Sequence, residues 1–319
     1  MFNIKQFNLR KILITNYSDF IQAFFETDFS KKTKDVKKKR EYNLKFFKLS
    51  KEVKKSLENK TLDQFVVMEK ELIKISNKGK RPVIVIDELQ ALEDVYINGQ
   101  RELLKELFNF FVSITKESHL CHVIIASSDG YFLNRIYNDS KLTKTSSFLE
   151  VDYLNQQDTI EWLSHLKENS SITAYTLSDS QIGTVWKYLG GSAWEISKLL
   201  SDLMSFANNN IINDRDLNQI IDQFILINTG KINYYTQLYD NKYELFKHIH
   251  ELQSEKNEFQ IKDKKNLVSK GFYDIPSLVD ELNNLVRLNI LSFNPITSFY
   301  KLQGHSMLFG LKKFIEQQQ

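Results

Sequence analysis

The sequence predicts an α/β fold in which helices flank a parallel sheet, followed by a helical region and then by helices with a two-stranded ribbon. Two observations predict it. Between residues 83 and 163, short runs of β-branched residues alternate with segments of helical spacing, an order typical of parallel sheets. From residue 177 the apolar spacing is helical, until two short apolar runs near residues 290 and 300 flank a turn.

The amino-terminal part predicts a strand, two helices and a second strand. Residues 2–14 predict the strand and 19–29 a short apolar helix. Apolar positions at helical spacing predict a helix over 61–77, which Gly79 ends. Residues 83–86 form a run of four β-branched residues, too short for a helix and typical of a parallel strand buried on both faces.

Two further strands complete the predicted sheet. A helix over 100–117 leads to a second buried strand at 122–126, and 148–151 is a third candidate before a helix that Asn155 begins. Ligands of parallel sheets lie beyond the carboxyl ends of the strands. We therefore expect the residues that follow these strands to share one edge.

The carboxyl-terminal half predicts helices and a ribbon. One helix is predicted to end near residue 189, and further helices are predicted over 194–206, 214–227, 243–252 and 275–288. Two strands, over 290–293 and 299–302, and a closing helix over 304–315 follow. Helices followed by a two-stranded ribbon predict a winged helix.

Composition excludes several classes of protein. The 319 residues are 42% apolar, contain no run of about 20 apolar residues and no secretory pattern, so we expect a cytoplasmic protein without a membrane span. The single cysteine, Cys121, lies in an apolar run and is expected to be a buried, inert thiol. The six scattered histidines do not predict a zinc site.

The net charge of +3 is unevenly distributed. Residues 31–60 hold 13 Lys and Arg against 4 Asp and Glu, a balance of +9, so the rest carries −6. Such a basic run can meet nucleic acid or anionic lipid, but a solvated basic face is the more common explanation. Nucleic acid is therefore a possible but not a favoured partner.

The richest motif is the pair Asp87-Glu88 at the end of the strand 83–86. An apolar strand followed by two acids matches the Walker B arrangement, in which the aspartate faces a nucleotide-bound Mg²⁺ and the glutamate orients or deprotonates the attacking water. The alternative is an acidic pair that solvates a strand end or caps a helix. The following strand ends in Ser127-Ser128, where a residue that senses phosphate would lie, and this favours the first interpretation.

The order of five motifs resembles the archaeal ATPase family within the signal-transduction ATPases with numerous domains, which are relatives of the AAA+ proteins. The motifs are VIVIDELQAL (83–92), IIASSDGYFLNRIYN (124–138), FLEVDYLNQQDTIEWL (148–163), YLGGSAWEI (188–196) and ILSFNPITSFYKLQGHSMLFGL (290–311). The resemblance implies a P-loop NTPase-like core over 1–153, a helical lid over 154–231 and a winged-helix domain over 232–319.

The resemblance also implies roles for individual residues. Asp87 would hold Mg²⁺ through water, Glu88 would position the hydrolytic water, and Ser127 or Ser128 would be the sensor. Arg135, on the helix after the sensor strand, would contact phosphate in its own or a neighbouring subunit, or else form a surface salt bridge. The only cofactor implied is Mg-ATP.

Gly190-Gly191 is similar to the turn in the lid of that family, and is assigned to the nucleotide site on that basis. The family's pattern continues with a proline two positions on, where this chain has Ala193. A pair of glycines that merely ends a helix is the alternative.

The chain departs from the family at the phosphate-binding loop. Such a loop needs a Gly-rich turn ending in Gly-Lys-Ser or Gly-Lys-Thr, and none is present; Gly79-Lys80 is followed by Arg81 and leads into a strand. In the family the loop comes just before a strand resembling FNIKQFNLRKI, so we expect either a lost first segment or a relative that keeps the scaffold without catalysis. Weak or absent ATP binding is the expectation in both cases, together with an unprotected sheet edge.

Two functional hypotheses follow. The first is a nucleotide-dependent switch or its relic, carried by Asp87, Glu88 and Ser127. The second is a winged-helix module without enzymatic activity that binds DNA or protein. Residues 275–289 hold one basic residue, Arg287, so a protein partner or self-association is favoured over DNA.

Overall fold

The computed structural model describes residues 3–11, 14, 19–20, 64–97, 99–139, 141–207, 209–238 and 242–318. The chain forms two compact units, Met1–Ser147 and Phe148–Gln319. The basic run at 31–40 and all but the first two residues of the helix predicted at 19–29 lie outside the described residues. The predicted mixed α/β fold with a parallel sheet is confirmed.

The first unit is built on a parallel sheet. Its strands are β1 (Asn3–Asn8), β2 (Pro82–Asp87) and β3 (His122–Ala126), in the order β1, β2, β3. The register places Asn8 beside Asp87, and Asp87 beside Ala126. All three strands therefore end at one edge of the sheet, as predicted. β1 is shorter than the predicted strand, because residues Leu9–Lys11 form a 3₁₀ turn.

Helices and one short hairpin cover this sheet. The helices are α1 (Gln64–Ser76), α2 (Leu103–Val112) and α3 (Gly130–Asp139), and the hairpin pairs Tyr96–Ile97 with Arg101–Glu102. α2 continues as a π-helical turn, Ser113–Glu117, within the predicted helix. The apolar residues of α2 recur at spacings of three and four, so one face of the helix is buried in the apolar core that also contains Ile84 and Ile86 of β2. Cys121 is buried, as predicted, and burial raises the pKa of its thiol to about 12.

Two predictions about strands are wrong. β3 was expected to be buried on both faces, but it lies at the edge of the described sheet and 51% of Ile124 is exposed. Residues 148–151 take part in no strand pairing within the described part of the chain. Of these residues, Glu150 accepts a hydrogen bond from Asn294, while Leu149 and Val151 are 85% and 90% exposed.

The second unit is mostly helical. Its helices are α4 (Gln156–Ser164), α5 (Leu166–Ser170), α6 (Asp179–Leu189), α7 (Ala193–Leu203), α8 (Asp214–Leu238), α9 (Lys242–Glu255), α10 (Lys265–Ser269), α11 (Ile275–Arg287) and α12 (His305–Gln317). Asn155 caps α4 through Asp158 N, as its position predicted. α8 is longer than predicted and runs through the boundary placed at 231/232. The three-domain division remains a prediction.

The ribbon consists of β4 (Leu291–Asn294) and β5 (Phe299–Leu302), which pair antiparallel as predicted. A third segment joins it, because Phe259 exchanges two backbone hydrogen bonds with Tyr300, at 2.9 and 2.8 Å. The resulting order from α9 is helix, bridge, two helices and ribbon. No helix in the described ranges is both long and apolar enough to cross a membrane.

Candidate functional site

The candidate site begins with Asp87 at the end of the central strand. Because β1 and β2 are in register, Asn8 lies beside it, and Asn8 Nδ2 donates a hydrogen bond to Asp87 Oδ2 at 2.9 Å. Asn8 Oδ1 accepts from the backbone N–H of Arg10 at 3.0 Å and so holds the turn after β1. The neighbouring strand thus fixes the orientation of the Asp87 carboxylate.

Glu88 follows in a left-handed backbone conformation, with φ 63° and ψ 45°. A non-glycine residue pays roughly 1–2 kcal/mol for this conformation, so the surrounding structure must maintain it. Its backbone N–H donates to Ala126 O at 2.9 Å, and the next turn is anchored by the fully buried Leu89 and Leu92. The turn keeps the side chain at the sheet edge, where Glu88 is only 6% exposed.

Both carboxylate oxygens of Glu88 are engaged. Arg10 Nη2 lies 3.0 Å from Oε1, and Ser128 Oγ donates to the same oxygen at 3.4 Å. Gln90 Nε2 donates to Oε2. Arg10 Nη2 also donates to Ser128 Oγ at 3.3 Å. The buried glutamate is therefore paired with a cation that reaches it from the turn after β1.

Ser127 occupies a different place from Ser128. Its Oγ donates to Gln90 Oε1 at 2.9 Å and accepts from Asp129 N at 3.0 Å. The Asp129 carboxylate in turn accepts from Phe132 N at 2.9 Å, which caps the first turn of α3. Ser127 is thus hydrogen-bonded to Gln90 in the turn after β2, whereas the exposed Ser128 is hydrogen-bonded to Arg10.

The site has the donor chemistry that suits Mg²⁺. Asp87 and Glu88 provide carboxylate oxygens, and Mg²⁺ is usually held in proteins by one or two carboxylates with waters and substrate phosphates. No cluster of three His, Cys, Asp or Glu that could hold a metal ion is found in the described ranges. Arg10 offsets the charge of Glu88, whereas Asp87 repels a bare polyphosphate, so a divalent cation at Asp87 would favour nucleotide binding at this edge.

The structure brings four of the predicted site residues together: Asp87, Glu88, Ser127 and Ser128 meet at one edge. Arg135 lies in α3, but its side chain is outside the described residues. These placements concern geometry alone, and the roles assigned to the residues stay predictions.

Gly190 and Gly191 belong to the second unit, where backbone packing accounts for them. A Cβ on Gly191 would lie 1.8 Å from Leu154 O, and Leu154 N donates to Gly191 O at 3.0 Å. Gly190 has φ 59°, and its Cα packs against the His305 ring. Only glycine fits at this close approach of two backbone segments. Their assignment to nucleotide binding remains a prediction.

Sequence reasoning missed Asn8, Arg10 and Gln90. Asn8 and Arg10 contact residues about 80 and 120 positions away, which only the register of β1 against β2 reveals. Gln90 lies within the quoted motif VIVIDELQAL, and its polar side chain between Leu89 and Ala91 was a usable signal.

Comparison with known proteins concerns the family and the fold. Residues 4–199 match the model of a family described as an ATPase domain predominantly from Archaea. Two uncharacterized ATP-binding proteins of Methanocaldococcus jannaschii are 31% and 30% identical to the chain; both alignments cover 97% of it, and they cover 83% and 84% of the relatives. A solved Walker-type ATPase of Pyrococcus abyssi is 15% identical and matches 97% of this chain and 84% of its own, with a TM-score of 0.59.

Proposed function

Since this chain belongs to the family of ATPase domains found predominantly in Archaea, we propose that it is a nucleotide-dependent switch protein that responds to Mg-ATP at the edge formed by Asp87, Glu88 and Ser127. One observation carries the proposal. Residues that lie far apart in the chain converge where the parallel strands end, the place at which such sheets bind ligands.

Each residue has a definite task in this proposal. Asp87, oriented by Asn8, would hold Mg²⁺, and Glu88 would position the water that attacks the terminal phosphate. Ser127 or Ser128 donates a hydrogen bond to a phosphate oxygen. Bound Mg²⁺ supplies the positive charge that neutralises the phosphates.

The proposed site lacks the part that cradles the phosphates. The 319 residues contain no Gly-rich turn ending in Gly-Lys-Ser or Gly-Lys-Thr, the element whose backbone N–H groups and lysine make most contacts to a triphosphate. Each charge-assisted hydrogen bond contributes roughly 1.5–3 kcal/mol, so losing several weakens binding by orders of magnitude. We therefore propose a degenerate or incomplete ATP site in this chain, with little or no hydrolysis.

The proposal predicts weak binding that depends on Mg²⁺ and on Asp87. Titration of the purified chain with a fluorescent ATP analogue is expected to give a dissociation constant of about 1 mM or weaker. Removing Mg²⁺, or replacing Asp87 with alanine, is expected to abolish this binding. Equal binding by the Asp87→Ala chain would contradict the proposed role of the carboxylate.

The order of elements from α9 to β5 is the one expected for a winged helix, and it supports a second proposed function. We propose that this part contacts protein rather than DNA. Glu281 of α11 is buried, and its exposed charged residues are one acid, Asp280, and one base, Arg287, so the helix presents no basic face to phosphates. Anisotropy titrations with short DNA duplexes should show no sequence-dependent binding. Tight, salt-sensitive binding that Arg287→Ala abolishes would contradict this proposal.

A further inference from the structure

Gln90 connects the two chemically important side chains of the site. Its Nε2 donates to Glu88 Oε2, and its Oε1 accepts from Ser127 Oγ at 2.9 Å. The side chain lies on the 3₁₀ turn Leu89–Leu92, which the buried Leu89 and Leu92 fix in place. One side-chain amide thus links the end of β2 to the end of β3.

The link depends on chemistry that few side chains share. A carboxylate needs a donor and a hydroxyl proton needs an acceptor, and an amide offers both in one plane. The amide orientation follows from these two partners, because the reverse orientation would place its oxygen against the Glu88 carboxylate.

Ser127 has a single hydroxyl proton, and that proton is given to Gln90. The remaining lone-pair capacity of Ser127 Oγ accepts from Asp129 N at 3.0 Å. A phosphate oxygen is acceptor only, so it can bond to Ser127 only by taking the proton away from Gln90. Gln90 and a terminal phosphate therefore compete for the same proton.

We propose that Gln90 is a specificity-determining residue that lowers the preference of the site for ATP over ADP by holding the Ser127 proton in the resting state. The inference rests on the proposed function, since it requires that Ser127 face the terminal phosphate of a bound nucleotide. It concerns a nucleoside triphosphate against a diphosphate, both with Mg²⁺. Gln90 acts through Ser127 and contacts no nucleotide atom itself.

The test compares dissociation constants for Mg-ATP and Mg-ADP, measured by ligand-observed NMR so that weak binding is accessible. Gln90→Met keeps the size of the side chain and removes the acceptor. It should raise the preference for ATP about 3- to 10-fold, the equivalent of one neutral hydrogen bond. Gln219→Met, at an exposed position of α8, is the matched control and should leave the ratio unchanged.

A double-mutant cycle distinguishes this route from a general loosening of the turn. In a Ser127→Ala background no proton remains to be released, so Gln90→Met should no longer change the ratio. An unchanged ratio in Gln90→Met, or an equal change in the Ser127→Ala background, would overturn the inference and leave the proposed function standing. Failure of the folded wild-type chain to bind either nucleotide would overturn both.

Discussion

Replacing Glu281 with leucine is expected to destabilise the protein by about 3–5 kcal/mol, because it removes the buried carboxylate that pairs with the largely buried Lys242 side chain. Lys242 Nζ lies 2.5 Å from Glu281 Oε2, and the two side chains are 12% and 7% exposed. Tyr235 OH also donates to Glu281 at 2.8 Å and would lose its acceptor. Urea unfolding followed by circular dichroism measures the change.

A variant that removes both charges of the Lys242–Glu281 pair is the control for Glu281→Leu. Lys242→Met together with Glu281→Leu replaces the pair by apolar groups of similar size, so most of the loss should be recovered. Asp202→Asn, in the exposed pair with Lys198, should cost less than about 1 kcal/mol. A double variant as unstable as Glu281→Leu alone would show that packing, not the unpaired charge, causes the loss.

Replacing Lys264 with methionine is expected to stabilise the protein at pH 6–7 by roughly 3–5 kcal/mol. The side chain is fully buried, and its Nζ has no hydrogen-bond partner within the described structure. Burial lowers the pKa of Lys264 to about 7, against attraction from Asp263 and Glu251. Its Nζ lies 4.1 Å from the centroid of the Phe259 ring. Methionine fills the same space without a charge.

The stabilisation expected from Lys264→Met depends on pH. The folded protein releases the Lys264 proton near pH 7, whereas the unfolded chain keeps it to about pH 10.5. Since the unfolded state binds more protons between these values, this group makes stability rise with pH across that window, and its penalty is complete below pH 7. Unfolding at pH 6, 8 and 10 should therefore show the gain from Lys264→Met shrinking as pH rises. A gain that is constant with pH, or shared by the exposed Lys262→Met, would contradict this account.

Several elements could be predicted because local pattern alone determines them. The strands at 122–126 and 299–302 and the helix begun by Asn155 have the predicted bounds or cap. The strand predicted at 148–151 is absent from the described structure for a physical reason. Leu149 and Val151 alternate with acidic residues as in a strand, but the acidic side chains contact the ribbon instead. Glu150 and Asp152 contact Asn294 and Lys301, which lie about 150 residues away.

The candidate site was predictable in part for the same reason. Asp87, Glu88 and the two serines directly follow apolar runs, and parallel strands bring such positions to one edge. The partners of these residues come from another strand or from a left-handed turn. The Arg10 contact needs the register of β1, and the Gln90 contact needs the backbone of Glu88 at φ 63°. Neither the strand register nor the left-handed backbone can be predicted from the spacing of residues in the sequence.

Titration with ATP in the presence of Mg²⁺ should be carried out on three chains: the wild type, Asp87→Ala, and Asp94→Ala as a control that removes an exposed carboxylate. We expect weak binding, with a dissociation constant of about 1 mM or more, that Asp94→Ala retains and Asp87→Ala loses. Micromolar binding by the wild type would contradict the claim that the site lacks its phosphate cradle. Equal binding by all three chains would contradict the claim that Asp87 holds Mg²⁺.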